Sequence, residues 1–254
     1  MAEASRDAAR AAAPVLHDAV LDALGLEITS GQHAPGTALT LEQLQQRFGV
    51  SRTVMREVMR MLESLNLVAS RRRVGLVVQP MRRWRVLDPR VIRWRLDGPG
   101  RADQLRTLTD LRVAVEPLAT AGAAKYATAD ERERLRTLAT RLRQLGEAGE
   151  LDAFLAVDVE FHSLLLQACL NEMFTALTGV IAEVLAGRTE HGLMPKCPRP
   201  VALDLHDQVA NCVATGDARG AETAMRELVE EVRNAISTTP APAPAPAPAP
   251  TERS

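Results

Sequence analysis

The sequence predicts a mainly α-helical protein: an N-terminal winged helix-turn-helix with a small β-hairpin wing, followed by an all-α helical bundle. Residues 41–64 are predicted to form two short helices separated by a Gly-Val-Ser turn, and two short apolar segments after them indicate a hairpin. From residue 103 to about residue 236, apolar side chains recur every three or four positions without any strand pattern. These observations favour two modest domains of different architecture.

Composition excludes several classes of protein. The chain has 254 residues, of which 46% are hydrophobic and 25% charged, as in ordinary globular proteins. It has no apolar run of the roughly 18 residues that a membrane helix needs and no secretory signal at its start, so we expect a cytoplasmic protein without membrane contact. The cysteines Cys169, Cys197 and Cys212 form no C-x-x-C pair and favour reduced thiols over disulfides.

The net charge of −1 conceals two halves of opposite sign. Residues 1–95 carry 15 arginines and nine acidic residues, whereas the remainder carries 16 basic and 23 acidic residues. Because the arginines cluster between Arg47 and Arg95, the front half is predicted to face a polyanion rather than to be only a solvated surface.

Changes in composition divide the chain into five parts. These are a flexible N-terminus (1–13), a winged helix-turn-helix domain (14–80), a linker (81–101), an all-helical domain (102–237) and a disordered Pro-Ala tail (238–254). Within the helical domain we predict six helices, over 103–125, 130–149, 151–169, 171–187, 203–215 and 217–236. In the linker, Trp84 and Trp94 are expected to pack in a core rather than to stack on a ligand.

The helix that follows the predicted N-cap Ser51 presents arginine from its first two turns. Arg52, Thr53 and Arg56 lie mostly on the polar side, where guanidinium groups can pair with guanine edges or phosphates in a major groove. The predicted apolar side consists of Val54, Val58, Met61 and Leu62.

The hairpin tip is also basic. Arg71, Arg72 and Arg73 are placed to reach an adjacent minor groove or phosphates, and Gly75 relieves the turn. A solvated amphipathic helix with a basic loop is the alternative, and the preceding helix and the Gly-Val-Ser turn weigh against it.

The segment PGTALTLEQLQQRFGVSRTVMREVMRMLESLNLVASRRRVGLVV resembles the winged-helix domain of GntR-type bacterial transcription regulators, above all in GVSRTVMREVMRMLE. The linker, with Leu-Asp-Pro between two tryptophans, and the helices after it resemble the FadR subfamily, particularly regulators of sugar-acid catabolism. The likeness covers roughly residues 14–236. It implies that Arg52 and Arg56 are the main operator contacts, with Thr53 beside them and the wing near Gly75 entering the minor groove.

The stretch DVEFH places Asp158 and His162 four residues apart on one helical face, and His206 starts a later helix that can pack opposite. One carboxylate with imidazoles suits a divalent metal such as zinc, nickel or manganese, although a hydrogen-bonded Asp–His pair is the commoner explanation of this spacing. The family resemblance implies one Asp and three His around a cavity. Its last His position falls on Leu228, so the ligand set is incomplete.

Arg112 is a second candidate for effector binding, together with Asp158, His162 and His206. A buried arginine can hold a carboxylate with two hydrogen bonds, which suits a sugar acid. A salt bridge to Glu116, one helical turn along, is the equally open alternative. Arg188 is a weaker candidate of the same kind.

The resulting hypothesis is a transcription regulator and not an enzyme. By resemblance, it is a homodimeric repressor of a gluconate- or galactonate-type operon that leaves a palindromic double-stranded DNA operator when a small carboxylate binds. The alternative is a metal-dependent enzyme using Asp158, His162 and His206, in which an arginine-rich winged helix would have no use. An architectural DNA-binding protein is a third possibility, and it leaves the helical domain unexplained.

Overall fold

The N-terminal domain combines three helices with a small antiparallel sheet. The computed structural model of the chain describes residues 2–191 and 198–238. The helices are α1 (Ala2–Thr29), α2 (Leu41–Phe48) and α3 (Arg52–Ser64). The strands are β1 (Ala38–Leu39), β2 (Val68–Arg71) and β3 (Gly75–Val78), in the order β1-β3-β2. The β2–β3 hairpin confirms the predicted wing, whereas β1 is too short for its alternation to be recognised from sequence.

The first helix reaches further toward the N-terminus than the sequence analysis predicts. Residues 2–13, expected to be flexible, are helical and continue through Pro14 into the rest of α1. The apolar periodicity that predicts this helix from the sequence begins only at Pro14. Five alanines between residues 8 and 13 have the highest helix propensity and continue the helix instead.

Local capping sets the position of α3. The left-handed φ of 63° at Gly49 ends α2, and the Ser51 side chain then accepts a hydrogen bond from Val54 N at 3.3 Å. The buried side of α3 is formed by Met55, Val58 and Leu62. Val54, predicted to be on the apolar face, is only partly buried and Met55 takes that place, so the helix is rotated slightly from the predicted orientation.

The linker contains a short 3-10 turn (Met81–Arg83) and a helix, α4 (Pro89–Asp97), which Asp88 caps. Trp94 is 2% exposed, and its Nε1 donates a hydrogen bond to Asp22 Oδ1 at 2.9 Å. Trp84 Nε1 donates to the carbonyl of Gln79 at 2.8 Å. Both tryptophans pack against the N-terminal core, which confirms their predicted role.

The C-terminal domain is a bundle of seven helices within the described residues. They are α5 (Arg101–Tyr126), α6 (Ala129–Ala148), α7 (Leu151–Ala168), α8 (Glu172–Thr175), α9 (Thr178–Glu190), α10 (Pro200–Thr215) and α11 (Ala218–Thr238). α11 packs along α5 and α10, while α7 packs against α5, α6 and α9. The core is made of leucine, valine and alanine with Phe154 and Phe161. No helix in this part of the chain, or elsewhere in the described ranges, is long and apolar enough to span a membrane.

One predicted helix is two helices in the structure. The segment 171–187 breaks between α8 and α9, because the Thr178 hydroxyl donates to the Thr175 carbonyl at 2.7 Å and competes with the helical ladder. The predicted Pro-Ala tail lies outside the described residues from position 239 onward, and Thr238 ends α11.

Helix α4 connects the two domains. On one side Ile92 and Leu96 pack against apolar residues of α9, and Arg93 Nε donates to Glu183 Oε2 at 3.1 Å. On the other side Trp94 lies directly against Gly25 of α1. The linker is therefore a packed helix in contact with both domains.

Candidate DNA-binding surface and effector site

The polar face of α3 carries the residues that the sequence assigns to DNA. Ser51, at the N-cap, and Arg52, Thr53 and Arg56 in the first two turns are all exposed. Arg52 and Arg56 are one turn apart, so their side chains leave the same face of the helix. Among the described residues neither arginine forms an ion pair, so both guanidinium groups are available to an anionic partner.

The wing is a tight basic turn. Arg71, Arg72 and Arg73 are exposed, and Val74 N donates to the Arg71 carbonyl at 3.1 Å to close the turn. Gly75 has φ of 104°, and a Cβ at this position would lie 2.7 Å from the carbonyl oxygen of Leu39. Gly75 therefore has a structural role, because it allows β3 to pair with β1.

The structure brings together Asp158, His162 and His206, as the sequence analysis predicts. Asp158 and His162 lie on α7 and His206 lies on α10; their exposed fractions are 5%, 2% and 4%. Asp158 Oδ1 lies 3.1 Å from His206 Nε2 and 3.5 Å from His162 Nε2. Both imidazoles thus turn the same ring nitrogen toward one carboxylate oxygen.

The opposite ring nitrogens also face oxygen atoms. His206 Nδ1 lies 2.6 Å from the Ala202 carbonyl, and His162 Nδ1 lies 2.6 Å from Glu116 Oε2, a charge contact without hydrogen-bonding alignment. A neutral imidazole carries a single N–H and can donate to only one of two acceptors, whereas a protonated imidazole donates to both. A cation between the Nε2 atoms and Asp158 would take the place of the protons on that side, since metal-bound histidines usually turn their other nitrogen to a carboxylate or carbonyl.

The distances in the cluster fit a small divalent cation. The donor atoms of Asp158, His162 and His206 all lie within 4.8 Å of one another. Four ligands about 2.1 Å from a zinc ion in tetrahedral arrangement are about 3.4 Å apart, close to the two contacts of Asp158. Leu228 is 2% exposed within the apolar core and supplies no donor atom. Among the described residues, this cluster therefore offers three ligands.

Charges of opposite sign stabilise one another in this interior. Burial raises the pKa of Glu116, but Arg112 and His162 outweigh burial and hold it at about 2. Burial lowers the pKa of His162, whereas Glu116 and Asp158 raise it to about 9. Burial also opposes ionisation of Asp158, yet its two histidine partners keep its pKa well below the usual value. The cluster is thus ionic at neutral pH.

Arg112 is paired within the protein. Its Nε lies 2.5 Å from Glu116 Oε1 and its Nη2 lies 3.3 Å from Glu116 Oε2, with both side chains almost fully buried. The salt bridge that the sequence analysis left open is therefore present, and only Nη1 of Arg112 lacks a partner. Sequence reasoning missed the second role of Glu116, its contact with His162, because that contact requires α5 and α7 to be adjacent.

Known proteins resemble both halves of the chain. Residues 16–78 match the sequence model of the bacterial regulatory proteins of the gntR family, and residues 107–231 match the FCD domain. The uncharacterized HTH-type transcriptional regulator YieP of Escherichia coli K12 is 27% identical over 209 residues, covering 81% of this chain and 89% of YieP. The galactonate operon transcriptional repressor of the same organism is 26% identical over 214 residues, covering 84% of this chain and 93% of the repressor.

A solved structure supports the same fold. Lar of Listeria monocytogenes superposes with a TM-score of 0.56 at 16% identity, over 87% of this chain and 96% of that chain. The matching families and relatives are transcription regulators, so the alternative of a metal-dependent enzyme is wrong. A winged helix-turn-helix of the gntR type followed by an FCD domain makes this chain a member of the GntR family of bacterial transcription regulators.

Proposed function

We propose that this regulator represses a sugar-acid catabolic operon of the gluconate or galactonate type and leaves its operator when a carboxylate effector binds in the FCD domain. The observation that carries the proposal is the buried ionic cluster of Arg112, Glu116, Asp158, His162 and His206. Apolar residues of similar volume would stabilise a fold at least as well as such a network, so a ligand-binding role accounts for the buried charge. The likeness to the galactonate operon repressor supports the effector class.

On the DNA side, the protein acts as a homodimer on a palindromic operator. Two copies of α3 enter successive major grooves about 34–36 Å apart, one helical turn of DNA. Arg52 and Arg56 contact bases and phosphates, with Ser51 and Thr53 beside them. The arginines of the wing, Arg71, Arg72 and Arg73, contact phosphates or the adjacent minor groove.

In the FCD domain, Asp158, His162 and His206 would hold a divalent cation such as zinc, nickel or manganese. When bound, such an ion supplies a Lewis-acidic position for effector oxygens. The Ala202 carbonyl and the Glu116 carboxylate contact the Nδ1 atoms of His206 and His162 and so hold the two imidazoles with Nε2 toward the ion. Leucine stands at position 228, where the family resemblance implies a histidine, so water or the effector completes the ligand set.

Helix α4 transmits the signal. A Cβ on Gly187 of α9 would lie 2.6 Å from Leu96 Cδ1, so the two helices are at closest approach there. Two residues earlier on α4, Trp94 contacts the DNA-binding domain and donates a hydrogen bond to Asp22. A movement of α9 on effector binding therefore changes the orientation of α1, and effector and operator favour different orientations.

The test is a gel-shift titration on the DNA upstream of the protein's own gene at fixed physiological salt. We expect a specific shift that D-galactonate or D-gluconate weakens at least about tenfold, which corresponds to the usual range of allosteric coupling. Asp158→Ala is expected to retain the shift and lose the response. A shift that no sugar acid alters, or no specific shift at all, would contradict the proposal.

A further inference from the structure

Arg188, in the last turn of α9, is a buried cation that forms no ion pair with any residue that the structure describes. The residue is 9% exposed, and its Nε is buried without a hydrogen bond. Among the residues that the structure describes, no carboxylate lies within ion-pair distance of its guanidinium. The following stretch, 192–197, contains no acidic residue and adds one lysine. That stretch therefore contains no side-chain carboxylate.

The carboxylates near Arg188 are already engaged by other groups. Asp158, Glu231 and Glu116 attract Arg188, whereas burial and the like charge of Arg112 lower its pKa to about 10. Glu116 is held by Arg112, and Asp158 is held by the two histidines of the cluster. Glu231 Oε1 accepts from Arg199 at 2.9 Å.

A second buried donor points to the same missing partner. Nη1 of Arg112 is buried and has no hydrogen bond, although the other two nitrogens of this guanidinium bind Glu116. Like charges disfavour each other, so two arginines within electrostatic reach, each with an unsatisfied N–H, form an unfavourable arrangement unless an anion lies against them. Guanidinium groups match the planar, two-oxygen geometry of a carboxylate.

The other side of the cluster is closed. Between Glu116, Thr120, His162 and Met225 the packing leaves a void too narrow for a water molecule. Asp158 and Arg188 attract each other electrostatically, so the guanidinium of Arg188 lies within reach of the cluster on the side of α9.

We propose that Arg188 binds the carboxylate of the effector, with Nη1 of Arg112 as a second donor, and that the effector is a hydroxylated monocarboxylate. Its hydroxyl groups then face Asp158 and His206, while Glu116 acts as a positioning residue that holds Arg112. This assignment rests on the proposed function and adds the anchoring residue and the charge of the ligand.

The experiment is isothermal titration calorimetry on the full-length protein with D-galactonate, D-gluconate and uncharged glucose. The variants are Arg188→Gln, Arg188→Lys and, as a matched control, Arg141→Gln, whose side chain is exposed on α6. A charge-assisted hydrogen bond lost from a buried site predicts about 10- to 150-fold weaker binding for Arg188→Gln. Arg188→Lys is expected to retain part of the affinity, Arg141→Gln all of it, and glucose is expected not to bind.

The melting temperature of the ligand-free protein distinguishes binding from structure. If Arg188 binds an anionic ligand, its charge is uncompensated in the ligand-free protein, so Arg188→Gln removes this charge and raises the melting temperature. A structural arginine would show the opposite change. Wild-type affinity in Arg188→Gln, or a lower melting temperature for the ligand-free variant, would overturn the assignment.

Failure of the proposed function has a separate signature. If no sugar acid binds the wild-type protein, the sugar-acid effector is wrong, and acetate then tests Arg188 as the smallest monocarboxylate. Acetate should raise the melting temperature of the wild type above that in sodium chloride of equal ionic strength, and should not do so for Arg188→Gln. An equal effect of acetate on both proteins, or none on either, would reject the anchoring role.

Discussion

The contact between Gly25 and Trp94 provides a direct test of how α4 is attached to the DNA-binding domain. In Gly25→Ala, the new Cβ would lie 2.4 to 2.5 Å from three atoms of the Trp94 ring. The indole is rigid, 2% exposed and held by its hydrogen bond to Asp22. It cannot turn aside, so α1 and α4 must separate.

The size of the effect follows from two opposing contributions. Over-packing a well-filled core costs about 1–3 kcal/mol. Alanine in place of glycine inside a helix contributes about 0.5–1 kcal/mol in the other direction. We therefore expect the free energy of unfolding of the N-terminal domain to fall by about 1–2 kcal/mol, which is roughly a tenfold rise in its unfolding constant at the midpoint of that range.

The measurement is urea denaturation followed by tryptophan fluorescence. The chain contains two tryptophans, Trp84 and Trp94, and both pack on the N-terminal core, so the signal reports on this domain. Gly179→Ala is the matched control, because Gly179 is also helical and its new Cβ would meet one atom, Pro89 Cγ, at 3.2 Å. The control should be as stable as the wild type or slightly more stable. If Gly25→Ala is no less stable than this control, tight packing of α4 on α1 is refuted.

Three further outcomes are expected. Arg52→Ala or Arg56→Ala should each weaken operator binding by about 1–3 kcal/mol in a gel-shift titration, with the fold unchanged by circular dichroism, while the exposed control Arg141→Ala binds as the wild type does. A hydrogen bond from an arginine of α2 is the main reason that the pKa of Glu27 lies below 4.5. Because the folded-state pKa is lower than the unfolded one, Glu27 contributes its full stabilisation above the unfolded pKa and loses it as the pH falls through the folded pKa. Below about pH 5 the free energy of unfolding of Glu27→Gln should therefore decline less than that of the wild type. Leu228→His should tighten zinc binding at least about tenfold in a competition titration by supplying a fourth ligand, and unchanged affinity would remove this position from the metal site.

The helices of both domains follow from local information. Apolar spacing, the Thr40 and Ser51 caps and Gly49 in the left-handed conformation determine where α2 and α3 begin and end, and each signal lies within a few residues of its effect. The same local rules failed at the break between α8 and α9, where a threonine hydroxyl competes with the helix, and at Met55, where packing against the domain core rotates the buried face by about one residue.

Some features of the candidate sites also follow from local sequence, and others depend on how the helices pack. The sequence by itself determined that Arg52 and Arg56 share an exposed helical face and that Asp158 and His162 share another, because helical spacing decides which side chains are neighbours on one helix. Only the tertiary structure decided that Arg112 is paired with Glu116, that Glu116 also touches His162, and that Arg188 is buried without an ion pair to any described residue. Those properties depend on which helices pack together: α5 against α7, and α9 beside both. Burial and pairing of a charge belong to the assembled interior, and no spacing within one helix encodes them.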